Sequence, residues 1–143
     1  MVPIVRRELR GGIGPTIWRA ATVLEAVLML SCARLIVLFC FGRFSRWMMQ
    51  GQQPGQQIPS PALRRRIERA VDRAAAIVPW NSLCLPNAMA AKLMLARRGC
   101  ASTIHLGVGI NSEGLLHAHA WLEAGGTVVT GAGNIATVTP IVR

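Results

Sequence analysis

The sequence predicts an α+β fold in which N-terminal helices and one central helix precede a small antiparallel sheet. Three observations carry this reading. Apolar residues recur at helical spacing up to Gly99 and alternate with a period of 2 beyond it. Pro86 and Gly99 bracket one apolar helix. From Ser102 onward, turns rich in Gly and Asn separate the alternating runs. A chain of 143 residues supplies one modest core, so residues 1–143 read as a single unit. Within it lie a helical region over 16–50, a loop over 51–61 and a core over 62–143.

Residues 1–15, broken by Gly11–Gly12 and Gly14–Pro15, read as an arm. Thr16 offers an N-cap for a helical region reaching Met49, with a break near Ser31. Gly51–Pro61 is a loop of Gly, Pro and Gln. Ser60 caps the next helix, Pro61 suits its first position, and Ala62–Val78 is rich in Arg and Ala. Pro86, lacking an N–H, fits only a first helical turn, so the central helix starts near Ser82 or Leu83 and holds Cys84 in that turn. Cys84, Ala88, Ala91 and Leu95 share one face. Ser102–Ile110, Leu115–Glu123 and Thr127–Thr130 are three strands, and their short connections make neighbours antiparallel.

The composition excludes several classes. Hydrophobic residues make up 52%, charged residues 15%, and mean hydropathy is +0.39, which rules out wholesale disorder. Asp72 is the only Asp, so no mechanism needing two Asp residues is available. The net charge is +10, and most of it sits in residues 1–75, which hold twelve of the fifteen Arg. That half draws an acidic partner or a polyanion. Without interleaved aromatics or a known reading module, Arg64–Arg66 do not predict specific nucleic-acid binding. Glu25 and Arg34 interrupt the apolar stretch Ala20–Gly42, whereas a membrane span needs ~20 nearly uncharged residues. The stretch reads as core helices or a helix for a partner's groove. Trp18, Arg43, Arg46 and Trp47 flank it, and membrane-surface attachment is the lesser alternative.

Four cysteines (Cys32, Cys40, Cys84, Cys100) include no C-x-x-C pair, and Cys32 and Cys40 lie in a very apolar segment, where free Cys behaves as a small hydrophobe. Reduced thiols and a cytoplasmic location are expected. His117, His119 and Cys84 offer zinc donors, but no fourth ligand is evident, so neither a metal nor a cofactor is expected.

A thiol in the first turn of a helix lies beside free N–H groups and the positive end of the macrodipole, both of which favour thiolate. The same N–H groups can stabilise an oxyanion. A nucleophilic Cys also needs a base. On the second strand His117, His119, Trp121 and Glu123 point to one side, and geometry alone does not choose between the two histidines. A helix-borne Cys facing a strand-borne His is the arrangement of papain-like thiol enzymes. His105 is placed on the solvent side, Trp121 in a wall or core, and His117 half-exposed near the strand start.

Pro79–Trp80, Cys84–Leu85–Pro86, Arg97–Arg98–Gly99 and the block Ala118–His119–Ala120–Trp121–Leu122–Glu123 resemble the leader peptidase of lasso peptide biosynthesis. That family is a transglutaminase-like branch of the papain-like cysteine peptidases, and the resemblance covers residues 62–131. It implies that Cys84 is the nucleophile and His119 the general base. It implies cleavage of a ribosomally made precursor between leader and core, after which a separate lasso cyclase uses the freed amine. It also implies a small leader-recognition protein as partner, for which the N-terminal part of this chain is a dock. Members often place an Asp twelve residues after the His. Here that position is Gly131, and no Asp follows His119. The candidates for orienting the ring are Asn134, a backbone carbonyl and Glu123. Glu123 is about 13 Å along the strand at ~3.3 Å per residue, which is too far. The third position stays open. Two other functions compete with leader removal: acyl transfer of transglutaminase type by the same Cys–His site, and a non-catalytic basic adaptor for a membrane or partner.

Overall fold

A computed structural model describes residues 13–49, 55–81, 83–110, 113–133 and 139–141. Helix α1 spans Ile13–Leu35, a π-helical segment covers Ile36–Cys40, and α2 covers Phe41–Met49. Helices α3 (Pro61–Ile77) and α4 (Cys84–Ala96) follow. Strands β1 (Thr103–Ile110), β2 (Leu116–Ala124), β3 (Thr127–Thr130) and β4 (Thr139–Pro140) form one antiparallel sheet in the order β3-β2-β1-β4.

The break expected near Ser31 is absent. Ser31 Oγ donates to the Val27 carbonyl at 2.9 Å, and Thr22 Oγ1 donates to Trp18 at 2.7 Å. Both hydroxyls thus bond one turn back within the helix rather than ending it. The irregularity comes later, in the wider turn at Ile36–Cys40. The helix also starts before Thr16, which is therefore not its cap.

Ala26, Leu30 and Ala33, spaced four and three apart, form the fully buried face of α1, against α3 and α4. Ile17, Leu24, Leu28 and Leu35 on the opposite side are exposed, as are Cys32 and Cys40. The two cysteines are therefore surface thiols, despite their apolar neighbours. By length and composition, Thr16–Cys40 is apolar enough to cross a membrane despite Glu25 and Arg34. In this fold one side of it is committed to the core, and both charges are engaged. Arg34 lies 5.3 Å from the Trp80 ring centroid. Glu25 accepts two bonds from Arg98, at 2.8 and 2.7 Å, and one from Arg97 at 3.2 Å. The Arg98 hydrogen bond, reinforced by the charges of both arginines, holds the Glu25 carboxyl below its ordinary value.

Helix α3 begins as its sequence dictates. Ser60 Oγ accepts from the Leu63 N–H at 3.2 Å, with Pro61 in the first position. Its Ile67, Ala70, Val71 and Ala74 are buried. Helix α4 is the centre of the molecule, buried on more than the one face foreseen: Met89, Ala90, Lys92 and Met94 join Ala88, Ala91 and Leu95. Lys92, the only lysine, donates to the Ser102 carbonyl at 3.1 Å and lies 5.5 Å from the Trp47 ring centroid. Desolvation lowers its pKa to about 8. Ile104, Leu122, Ala124 and Val129 complete the core from the sheet.

The meander β1-β2-β3 matches the alternation in the sequence. Strand β4 was not foreseen: its two residues pair with Gly107 and Val108 of β1. So short a segment carries no period, and Pro140 suits an edge. The Gln57 N–H and carbonyl bond Gly99 and Ala101, tying the loop before α3 to the far end of α4.

The Glu25 cluster gives a stability prediction. Glu25→Gln lowers stability at pH 7 by about 1 kcal/mol, read from urea unfolding. A depressed carboxylate stabilises above its unfolded pKa and ceases to as pH falls through its folded value. The gap between variant and wild type therefore closes at acid pH.

Candidate active site

Cys84 is the first residue of α4, with Leu83 as N-cap in an extended conformation. Leu83 provides no side-chain cap, and Pro86 falls in the first turn. The first hydrogen bond of the helix runs from Asn87 N–H to the Leu83 carbonyl at 3.2 Å. The Cys84 and Leu85 N–H groups thus belong to the uncapped start of the helix, where the dipole is positive. Cys84 is partly exposed, while Cys100, whose Sγ meets the Arg98 carbonyl at 3.6 Å, is buried.

His119 lies in the middle of β2, opposite Gly107 of β1, and is 8% exposed. It belongs to a row of rings along one sheet face. His117 and His119 stack at 6.1 Å, His119 and Trp121 at 6.2 Å, and Trp121 and His105 at 5.5 Å. Leu122 and Ala124, which alternate with this row, join the core with α4. His119 Nε2 is 2.7 Å from the Gly131 carbonyl oxygen. A carbonyl only accepts, so Nε2 carries the proton and Nδ1 keeps the lone pair a general base needs. Among the described residues no hydrogen bond joins Cys84 to His119.

The partner of His119 is the backbone of Gly131, the residue at the position where the sequence resemblance leads to the expectation of an Asp. Gly131 directly follows β3 at φ +84°, which L side chains rarely adopt. A Cβ there would lie 2.7 Å from the Ala120 carbonyl oxygen and 3.0 Å from Trp121 Cβ. No Asp fits that position without moving β2. The backbone carbonyl is in place to orient the ring. Glu123 is instead turned to His105, with Oε2 3.5 Å from Nε2, and Asn134 lies outside the described residues.

Two further features had no signal in the sequence. The Trp80 indole N–H, four residues before Cys84, is buried without a hydrogen-bond partner. A buried donor left without an acceptor is costly. His105 was placed toward solvent, but it is half-buried against Trp121. Among the described residues no three His, Cys, Asp or Glu side chains gather as metal ligands.

Gly131→Ala forces a β-carbon into this contact at positive φ, and destabilisation by about 2 kcal/mol or more is expected in urea unfolding. Nitrogen-15 NMR of the wild-type His119 ring should report the Nε2–H tautomer. The Nδ1–H tautomer would show that the Gly131 bond does not form.

The transglutaminase-like superfamily matches residues 26–143, from within α1 to the end of the chain. No curated protein and no solved structure matches. The match takes in α4 with Cys84, the whole sheet with His119, and most of the helical layer on which they rest. With more than half of its length matched by that one family, this chain belongs to the transglutaminase-like superfamily.

Proposed function

We propose that this protein is a cysteine peptidase that removes the leader from a ribosomally synthesised lasso peptide precursor, together with a small leader-recognition protein. Membership of the transglutaminase-like superfamily supports the coarser statement, a Cys-dependent peptidase or acyl transferase. The finer one rests on the resemblance of Pro79–Trp80, Cys84–Pro86, Arg97–Gly99 and Ala118–Glu123 to the lasso leader peptidases, and the orientation of His119 is compatible with a general base. His119 Nε2 is engaged by the Gly131 carbonyl at 2.7 Å, within the block whose residues resemble the lasso leader peptidases.

In this reading His119 Nδ1 takes the Cys84 thiol proton, and the Sγ thiolate attacks the carbonyl carbon at the leader–core junction. The developing oxyanion is met by the Cys84 and Leu85 N–H groups, with the Trp80 indole N–H as a further donor. The protonated His119 gives its Nδ1 proton to the departing core amine as the C–N bond breaks. Water then attacks the thioester, Nδ1 takes its proton, and the leader leaves as a carboxylic acid with the thiol restored. A backbone carbonyl carries only partial negative charge, so it stabilises the imidazolium less than an Asp would. The expected consequence is slow turnover by the isolated chain. The proposed setting is the cytoplasm, where a lasso cyclase would consume the freed amine.

Mass spectrometry of precursor, recognition protein and this chain tests the proposal. The expected products are leader and core with the addition of one water across the cleaved bond. Cys84→Ala and His119→Ala should each lower the rate by about 10³-fold or more, and Cys100→Ala should leave it within about twofold. A cross-linked product formed with loss of ammonia would identify the acyl-transfer reading instead. Unimpaired cleavage by Cys84→Ala would end both.

A further inference from the structure

A cleft of about 1180 Å³ lies between the N-terminal part of α1 and α3, and its lining includes five arginines and no carboxylate. Arg19 comes from α1, and Arg65, Arg66, Arg69 and Arg73 come from α3. Arg66 is fixed in place: Nε and Nη2 donate to Thr22 Oγ1 at 3.0 and 2.6 Å, and Nη2 also donates to the Trp18 carbonyl at 3.1 Å. Among the described residues, Arg19, Arg65, Arg69 and Arg73 have no carboxylate partner. Arg65, Arg69 and Arg73 are four apart, so they stack like charges along one face of α3. Trp18, Val23, Pro61 and Ala70 give the same cleft apolar surface, and Trp18 is 66% exposed.

We propose that this cleft binds an acidic amphipathic peptide segment, with its apolar side chains against Trp18 and Val23 and its carboxylates on the arginines. Charge complementarity argues for an anionic occupant, because the cations are aligned and unneutralised. The apolar surface between them argues for an occupant that also brings hydrophobic side chains, which a phosphate backbone does not. The volume exceeds the ~300–1,000 Å³ of small-molecule sites. A groove between two packed helices suits a peptide and excludes a nucleic-acid duplex. The cleft's lining runs along α3 from Ser60 to Arg73 and includes neither Cys84 nor His119. Binding here is therefore separable from the chemistry proposed for Cys84 and His119.

Fluorescence anisotropy of the full chain with a labelled eighteen-residue peptide, Glu and Leu at helical spacing, tests this. The expected result is micromolar binding that weakens about tenfold or more between 50 and 300 mM NaCl. Combined Arg65→Glu, Arg69→Glu and Arg73→Glu should weaken it by at least about tenfold, with the fold checked by circular dichroism. Trp18→Ala, which changes no charge, should weaken it by about fivefold. Cys84→Ala should bind like wild type, which separates failure here from failure of the peptidase reading. Unchanged affinity in the charge-reversed variant overturns the proposal. So does equal affinity for a peptide with Ser in place of Leu, for single-stranded RNA or for anionic lipid vesicles, any of which would indicate generic polyanion binding.

Discussion

The hydrogen bond from His119 Nε2 to the Gly131 carbonyl fixes far more than one ring. At 2.7 Å to an acceptor-only oxygen, it decides where the imidazole proton sits and leaves Nδ1 as the basic nitrogen. It exists because the chain leaves β3 at a positive φ that Gly adopts without strain. That backbone path, pressed against Ala120 and Trp121, has no room for a side chain. The missing carboxylate and the glycine in its place are therefore one fact: a carbonyl does the orienting, and the close approach of the two strands excludes the alternative. The stacked row of His117, His119, Trp121 and His105 holds the ring from its flanks.

Cys84, the proposed nucleophile, depends on α4. That helix is buried among α1, α3 and the sheet, so its position is set by packing rather than by capping. Its small residues Ala88, Ala90 and Ala91 allow neighbours close approach. Its start has no side-chain cap, which costs helix stability and leaves N–H groups beside Cys84. The charge is arranged around this core. Glu25 gathers Arg97 and Arg98 at one end of α4, while among the described residues Arg65, Arg69 and Arg73 of α3 have no carboxylate partner.

Much of this was legible in the sequence wherever the determinant is local. Ser60–Pro61 announced the start of α3, Pro86 and Gly99 bounded α4, and the change of period at Gly99 marked the sheet. Cys84 and His119 stood out because each combines a reactive side chain with a readable local setting. The rest arises from contacts distant in sequence. A backbone carbonyl has no residue signature, so the role of Gly131 was invisible although its position was noted. Glu25 read as an interruption of an apolar run, because its partners lie more than seventy residues away. Cys32 and Cys40 lie in a very apolar segment, yet only the packing of α1 decides which of its faces meets the core. The orphaned indole N–H of Trp80 likewise appears only once its surroundings are built.

The account rests on Cys84 and His119 acting as a pair, and chemical modification tests that most directly. Iodoacetamide at neutral pH, with modification sites quantified by mass spectrometry, compares Cys84 with Cys32 and Cys40 in one molecule. The two exposed thiols serve as internal references for a partly buried one. The account predicts that Cys84 is alkylated fastest despite its lower exposure, and that His119→Ala slows Cys84 alone. Alkylation that simply follows exposure, unaltered by His119→Ala, would contradict it.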